Sequence, residues 1–456
     1  MTNNKTLLES ETNRAIRIQF VSREIPVENL IGSSTYILDF ISYLCQKDYE
    51  IEYILLNYSP NGEIPWYIIP PSIAALTNIV AKNNLRIGRI LLRFNSLSDW
   101  LTALLRPVYN LLLPEKLKDI YRFTRDRKGK TYNEAKPNIP QFWGTPATAE
   151  EMAFANSRFV KFKPDVVIAN YAFLGSILDS PFLDKTVLKV ILTHDVLSQR
   201  VVDYQKLGIP SCLMEYNKET EAIELCKAQV LLAIQEEDAK VFQEIAPQCE
   251  VISMPMSAVP HSHTVKQVPG RCLFVGSATD HNVYGLQWFL KYVWPLVLES
   301  VPHCSLHVCG TVCNGFEEAF PNVRFLGRVN DLEPEYSNAE VCLIPLIIGS
   351  GLKIKLVEAM SYGRACVSTS VGVQGLGEII GSAVLVADTI EDFAAAIRML
   401  LTNLDKRQWM EEQAHKYVTE KLSPKAVYQP FVDKIEQHLQ QLATGMLERI
   451  KCLLIR

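Results

Sequence analysis

The chain predicts an α/β protein made of two successive domains, each a doubly wound parallel sheet. Three observations lead there. Short apolar runs alternate with helical patterns through both halves, as the strands and crossover helices of parallel sheets do. Residues 256–270 carry Pro260 and Pro269 with little periodicity and read as a linker. At Arg271 the strand–helix alternation starts again. The predicted domains are therefore 1–255 and 271–456, and a length of 456 residues suits two cores better than one.

In the first domain, residues 16–22 alternate and end in a loop, as an opening strand should. Gly32, Ser33 and Ser34 then read as a loop before a helix over 35–46, where Tyr36, Phe40, Tyr43 and Leu44 fall at helical spacing. Further strands are predicted at 51–57, 165–170, 189–195 and 229–234, with helices over 213–227 and 236–245 and a last strand at 249–255. The stretch 84–131 breaks the pattern, with eleven Lys/Arg against four acidic residues and interleaved Leu, Phe and Trp. It reads as a basic, amphipathic helical insertion. Two roles stay open: packing its apolar face on its own domain, or peripheral contact with an anionic membrane surface.

The second domain predicts a strand at 271–275, a long helix around 288–298, and strands at 305–310 and 322–326. Residues 339–346 form a short buried strand, and 363–369 the next. Between them lies the most informative run of the chain, Gly349-Ser350-Gly351-Leu352-Lys353-Ile354-Lys355-Leu356-Val357-Glu358. A glycine-rich loop enters a helix whose free N–H groups and dipole attract anions, and two lysines strengthen that preference. Lys355 and Glu358 are three apart and share a helix face. The carboxylate can accept hydrogen bonds from sugar or ribose hydroxyls. Phosphate at one end and hydroxyls at the other point to a nucleotide or nucleotide-sugar, against the plainer alternative of a capped surface helix.

Composition narrows the classes. Hydrophobic content of 48% and charged content of 21% are those of a globular protein, and a net charge of −4 argues against nucleic-acid binding. Eleven scattered cysteines suit a reducing compartment rather than a disulfide framework. The first residues are polar, without the apolar core of a secretory signal, and no run is long and apolar enough to span a bilayer. The predicted location is cytoplasmic, with peripheral attachment at the inner membrane face if 84–131 binds lipid.

The residues Phe274-Val275-Gly276-Ser277 with Asn282, Gly327-Arg328-Val329 with Asp331, Pro345-Leu346, the 349–351 loop, Lys355 and Glu358-Ala359-Met360 form a combined pattern. In it the second half resembles the C-terminal domain of retaining family 4 glycosyltransferases. The resemblance implies the GT-B fold, two facing Rossmann-like domains, with the last helices passing back to the first. It implies transfer of a sugar from a nucleotide-sugar donor, as substrate rather than cofactor, to an acceptor that is a glycan, a lipid-linked molecule or a protein. Other GT-B activities, epimerase or phosphorylase, and a catalytically silent binding module remain the alternatives.

The same resemblance distributes the roles. Gly276, Ser277, Ser350, Gly351, Leu352, Lys353 and Lys355 are expected at the donor phosphates, Glu358 at ribose or sugar hydroxyls, and Arg328 and Val329 at the base. Gly32 and Ser33 match a loop near the phosphates or acceptor, and His194 matches a histidine that contacts the donor sugar, with Asp195 placed to orient its ring. The family's further upstream glutamate is replaced here by Ser350, which leaves the donor sugar open. No Asp-x-Asp occurs, so metal-independent transfer is expected. His303, Cys304, His307, Cys309 and Cys313 could suggest zinc, yet the strand alternation splits them between faces and reads as core.

Overall fold

The computed structural model describes residues 14–27, 32–56, 66–93, 100, 144–206, 216–261, 267–348 and 354–454. The chain divides into two compact units, Met1–Leu232 with Val241–Val251 and Ile435–Arg456, and Ala233–Lys240 with Ile252–Lys434.

The first unit is built on strands β1 (Arg17–Ser22), β2 (Glu50–Leu55), β4 (Asn78–Ala81), β7 (Val166–Asn170), β8 (Leu188–Leu192), β9 (Val230–Ala233) and β10 (Glu250–Ser253), ordered β10-β9-β8-β7-β1-β2-β4. β1 pairs in parallel with β2 and with β7, which pairs in parallel with β8. Central strands buried on both faces explain their apolar runs: every residue of β7 is buried. The polar residues that do enter this core are paired. Glu52 accepts from Gln19 Nε2 at 2.8 Å and forms an ion pair with Arg158. Arg23 forks onto both Glu151 oxygens at 3.0 and 2.8 Å. Glu151 also closes the capping box of the helix Ala149–Phe162 with Thr148.

Two expectations for this unit are corrected. The first part of the 84–131 segment is not helical: β5 (Asn84–Ile87) and β6 (Ile90–Arg93) form a hairpin that continues to β3 (Trp66–Ile68). Ile87 faces Ile90 across a two-residue turn in which Gly88 has φ +58. Period-two alternation and a glycine at the turn decide this stretch, whereas charge counting had suggested a helix. Apart from Trp100, residues 94–131 lie outside the described residues, and so do both roles weighed for them. The second correction is that the helix begins at Gly32 (Gly32–Cys45), so Gly32 and Ser33 form its first turn rather than a preceding loop.

The second unit has strands β11 (Arg271–Val275), β12 (Ser305–Cys309), β13 (Val323–Gly327), β14 (Val341–Ile344), β15 (Ala365–Ser368) and β16 (Val384–Val386), all parallel, in the order β13-β12-β11-β14-β15-β16. Side chains alternate between two cores. Cys272, Phe274, Leu306, Val308, Val341 and Leu343 pack on one face with Phe289, Trp294 and Phe393. Leu273, Cys309, Cys342 and Ile344 pack on the other with Leu356, Met360 and Val418. The long helix expected near 288–298 forms as Asp280–Trp288 and Trp294–Ser300 joined by a π turn, Phe289–Val293. Pro295 gives the physical reason: it has no N–H and its ring crowds the carbonyl four residues back, so the ladder widens before it. The last helix, Pro424–Leu454, enters the first unit from Ile435 onward, where His438 Nε2 donates to Thr186 O at 2.8 Å.

Candidate functional site

In the second unit, β11 and β14 are neighbours, while the chain winds outward from β11 through β12 to β13 and from β14 through β15 to β16. The connections leaving β11 and β14 therefore diverge, and that topological switch point is where open α/β sheets receive ligands. The loop after β11 holds Gly276 and Ser277, and the helix after β14, Ile354–Ser361, holds Lys355 and Glu358.

Asn282 ties the two sides together. Its Nδ2 donates to Ser277 O at 2.9 Å and to Ser277 Oγ at 3.2 Å, and its Oδ1 accepts from Lys355 Nζ. Asn282 itself is buried. Lys355 also lies over the Phe274 ring, 5.9 Å from its centroid. The ammonium thus sits at the carboxyl edge of β11 beside a neutral amide, where a positive charge can meet an anion. Two glycines allow the backbones to approach. Gly310 has φ +102, and a Cβ there would lie 2.1 Å from Gly276 O. A Cβ on Gly285 would lie 2.4 Å from Pro345 O, so the helix Asp280–Trp288 sits directly on the loop that follows β14.

Glu358 is held on one oxygen. Tyr336, at the end of the helix Glu333–Asn338, is buried, and its hydroxyl donates to Glu358 Oε2 at 2.9 Å. Tyr336 stacks on Tyr362 at 4.7 Å, and Tyr362 on His261 at 3.9 Å. Burial raises the Glu358 carboxyl above its ordinary range, while the Tyr336 hydrogen bond and the Lys355 charge pull it back. Oε2 is thus fixed by Tyr336, while Oε1 has no hydrogen-bond partner among the described residues.

In the first unit, His194 follows β8 and Asn170 ends the neighbouring β7. His194 Nε2 lies 2.8 Å from Asn170 Oδ1. Tyr171, with φ +74, places its ring 4.1 Å from the imidazole, and Tyr36 meets it edge-on at 5.9 Å. Asp195 does not take the expected part in orienting the ring: it forms an ion pair with Arg200. Burial, with the charge of Arg200, pushes the His194 pKa down to about 3. The imidazole is neutral at physiological pH.

Ser350, Gly351, Leu352 and Lys353 lie outside the described residues. Arg328 is exposed beyond the edge strand β13, and Val329 packs against the core around Leu273 and Leu356. Ser33 lies in the first turn of Gly32–Cys45. Of the cysteine–histidine group, Cys304 and Cys309 are core residues and His307 Nδ1 meets Glu335 Oε2 at 2.6 Å. Sequence reasoning missed Tyr336 and Asn170. Asn170 closes an apolar strand, and a polar residue at that place is the one signal that could have marked it.

Residues 269–403 match the family described as Glycosyl transferases group 1. A stretch of 168 residues, 34% of the chain, is 27% identical to a Klebsiella pneumoniae protein described as an uncharacterized 44.6 kDa protein in the cps region. That match spans 43% of the relative, so the chain covers less than half the length of this curated protein. Among solved structures, sucrose-phosphate synthase from Thermosynechococcus elongatus has a TM-score of 0.57 at 13% identity, covering 94% of this chain and 100% of that one. TarM has a TM-score of 0.60 at 12% identity, covering 93% and 99%. An E. coli trehalose-6-phosphate structure bound with UDP-2-fluoro glucose has a TM-score of 0.54 at 13% identity, covering 92% and 99%. Such low identities speak for the fold, and with the two parallel sheets they establish it as GT-B. Residues 269–403 are accordingly similar to the glycosyl transferases group 1 family, within a chain of GT-B fold.

Proposed function

We propose that the protein transfers a sugar from a nucleotide-sugar donor to an acceptor, with retention at the anomeric carbon and without a metal ion. The observation that carries this reading is the bridge Ser277–Asn282–Lys355 at the switch point, with Glu358 one turn along the same helix. Departure of a nucleoside diphosphate builds negative charge on its leaving oxygen. A preorganised donor aimed at such charge contributes about 3–4 kcal/mol to the transition state. Lys355 supplies that donor, and Glu358 accepts from ribose or sugar hydroxyls through the oxygen that Tyr336 leaves open.

His194 serves in this reading as a hydroxyl-binding group of the first unit. Retention rests on the family resemblance, and metal independence on the lack of an Asp-x-Asp pair together with the lysine at the diphosphate. UDP is a reasonable first nucleotide, because one structural neighbour is described as bound with UDP-2-fluoro glucose and another, TarM of S. aureus, as in complex with UDP. The acceptor is a glycan, a lipid-linked molecule or a protein. Nine described cysteines are free, which favours a reducing, cytoplasmic setting.

A screen of nucleotide-sugars for protein-dependent release of nucleoside diphosphate, with and without cell extract, tests the proposal. Release is expected with one donor class and is expected to persist in EDTA. Lys355→Ala and Glu358→Ala should each lower turnover by roughly tenfold to a thousandfold with unfolding unchanged. Wild-type rates in both variants would remove the site assignment. An absolute need for Mn²⁺ or Mg²⁺ would overturn the metal-free part.

A further inference from the structure

The predicted linker is fastened to the helix that carries Glu358. Between β10 and β11, Ala258 N donates to Leu422 O and His261 N to Ser361 O, each at 2.8 Å. Ser361 is the last residue of the helix Ile354–Ser361, and Gly363, with φ +63, turns the chain away two residues later. Tyr362 stands at that end between two other rings. The His261 imidazole lies 3.9 Å from its centroid at an interplanar angle of 10°, and the Tyr336 ring 4.7 Å away at 8°. Two rings so near one centroid and so nearly parallel would clash on a single face, so they cover opposite faces of Tyr362.

Tyr336 ends this stack, buried, with its hydroxyl donating to Glu358 Oε2 at 2.9 Å. A phenol oxygen lies in the plane of its ring. Whatever fixes the plane of Tyr336 therefore fixes where its hydroxyl can point. We propose that His261 is a positioning residue for Glu358: by closing a three-ring stack with Tyr362 and Tyr336, it holds the Tyr336 hydroxyl on the carboxylate. The proposal rests on the glycosyl-transfer reading only for what Glu358 then binds, a ribose or sugar hydroxyl. The backbone bond from His261 to Ser361 survives a change of side chain, so substitutions at 261 test the stack and not the tether.

Glu358 can be followed without a donor, by carbon NMR of the full chain labelled at the glutamate carboxyl, where its signal is the one lost in Glu358→Gln. Lys355 and Tyr336 act on the carboxyl directly; Glu333 and Asp331 act on Tyr362, and Cys342 and Cys366 lie near Tyr336. Tyr336→Phe removes a lowering influence and should raise the Glu358 midpoint. His261→Ala should raise it too, and His261→Phe, which keeps a ring face, should restore it. In a chain already carrying Tyr336→Phe, His261→Ala should add nothing, because both changes act through one hydrogen bond. Tyr362→Leu breaks the stack at its centre and gives the same reading if His261→Ala does not fold. An unmoved midpoint in the folded variant, or an equal shift with and without the Tyr336 hydroxyl, would overturn the proposal.

With a nucleotide found to bind, His261→Ala should weaken it by about twofold to fivefold, as loss of one stacked ring pair would, and His261→Phe should not. Equal weakening by both would overturn the stack as the cause. No binding of any nucleotide to the wild type would instead overturn the ligand assigned to Glu358, while the midpoints still decide what His261 does.

Discussion

Glu358 is balanced between two opposed influences. Burial raises its pKa, and the hydrogen bond from Tyr336 with the charge of Lys355 lowers it. Hydroxyl recognition needs the ionised form, so donor binding should weaken as pH falls through the Glu358 pKa. Removing the Tyr336 hydroxyl takes away one of the two lowering influences. Tyr336→Phe should therefore move the acid limb of donor binding to higher pH and weaken binding near neutrality by about threefold to tenfold, the worth of a typical hydrogen bond. Titration calorimetry at several pH values measures both; an unmoved acid limb would show that Tyr336 only fills space. The Lys355–Glu358 spacing was legible because both sit within one turn of one helix. Their hydrogen bonds were not: Asn282, itself part of the motif pattern, lies 73 residues from Lys355, Tyr336 lies 22 from Glu358, and bonds across such spans leave no local pattern.

The elements that build the site are held by backbone approach as much as by side chains. Gly285 lets the helix Asp280–Trp288 rest on Pro345, at the start of the connection from β14 to the Lys355 helix. Gly285→Ala would push its methyl into the Pro345 carbonyl and should cost about 1–3 kcal/mol, the usual penalty for overpacking. It should also displace the Asn282–Lys355 bridge, so thermal unfolding and donor affinity are expected to fall together. Full affinity with lowered stability would show that the bridge does not depend on this packing. At this scale the central strands were legible, since buried parallel strands announce themselves as apolar runs, whereas the edge strands β4 and β16 were not foreseen. The β5–β6 hairpin was misread because its basic residues drew attention from a period of two and from Gly88 at the turn.

Across the whole molecule, two α/β units were legible from the restart of the strand–helix rhythm at Arg271, where β11 begins. The strand order was not, because register and neighbour choice come from long-range pairing. It is the order β13-β12-β11-β14-β15-β16 that makes the junction of β11 and β14 a topological switch point, the place where open α/β sheets receive ligands. The single-sequence pattern singled out Lys355 and Glu358, and the topology sets their helix beside that switch point. Calorimetric titration of UDP, GDP and ADP into the full chain in EDTA tests this most directly. One nucleotide should bind with a single site, and Lys355→Ala should weaken it by about tenfold or more, some 1.4 kcal/mol. No binding of any of the three, or equal binding by Lys355→Ala, would contradict a diphosphate site at the head of that helix.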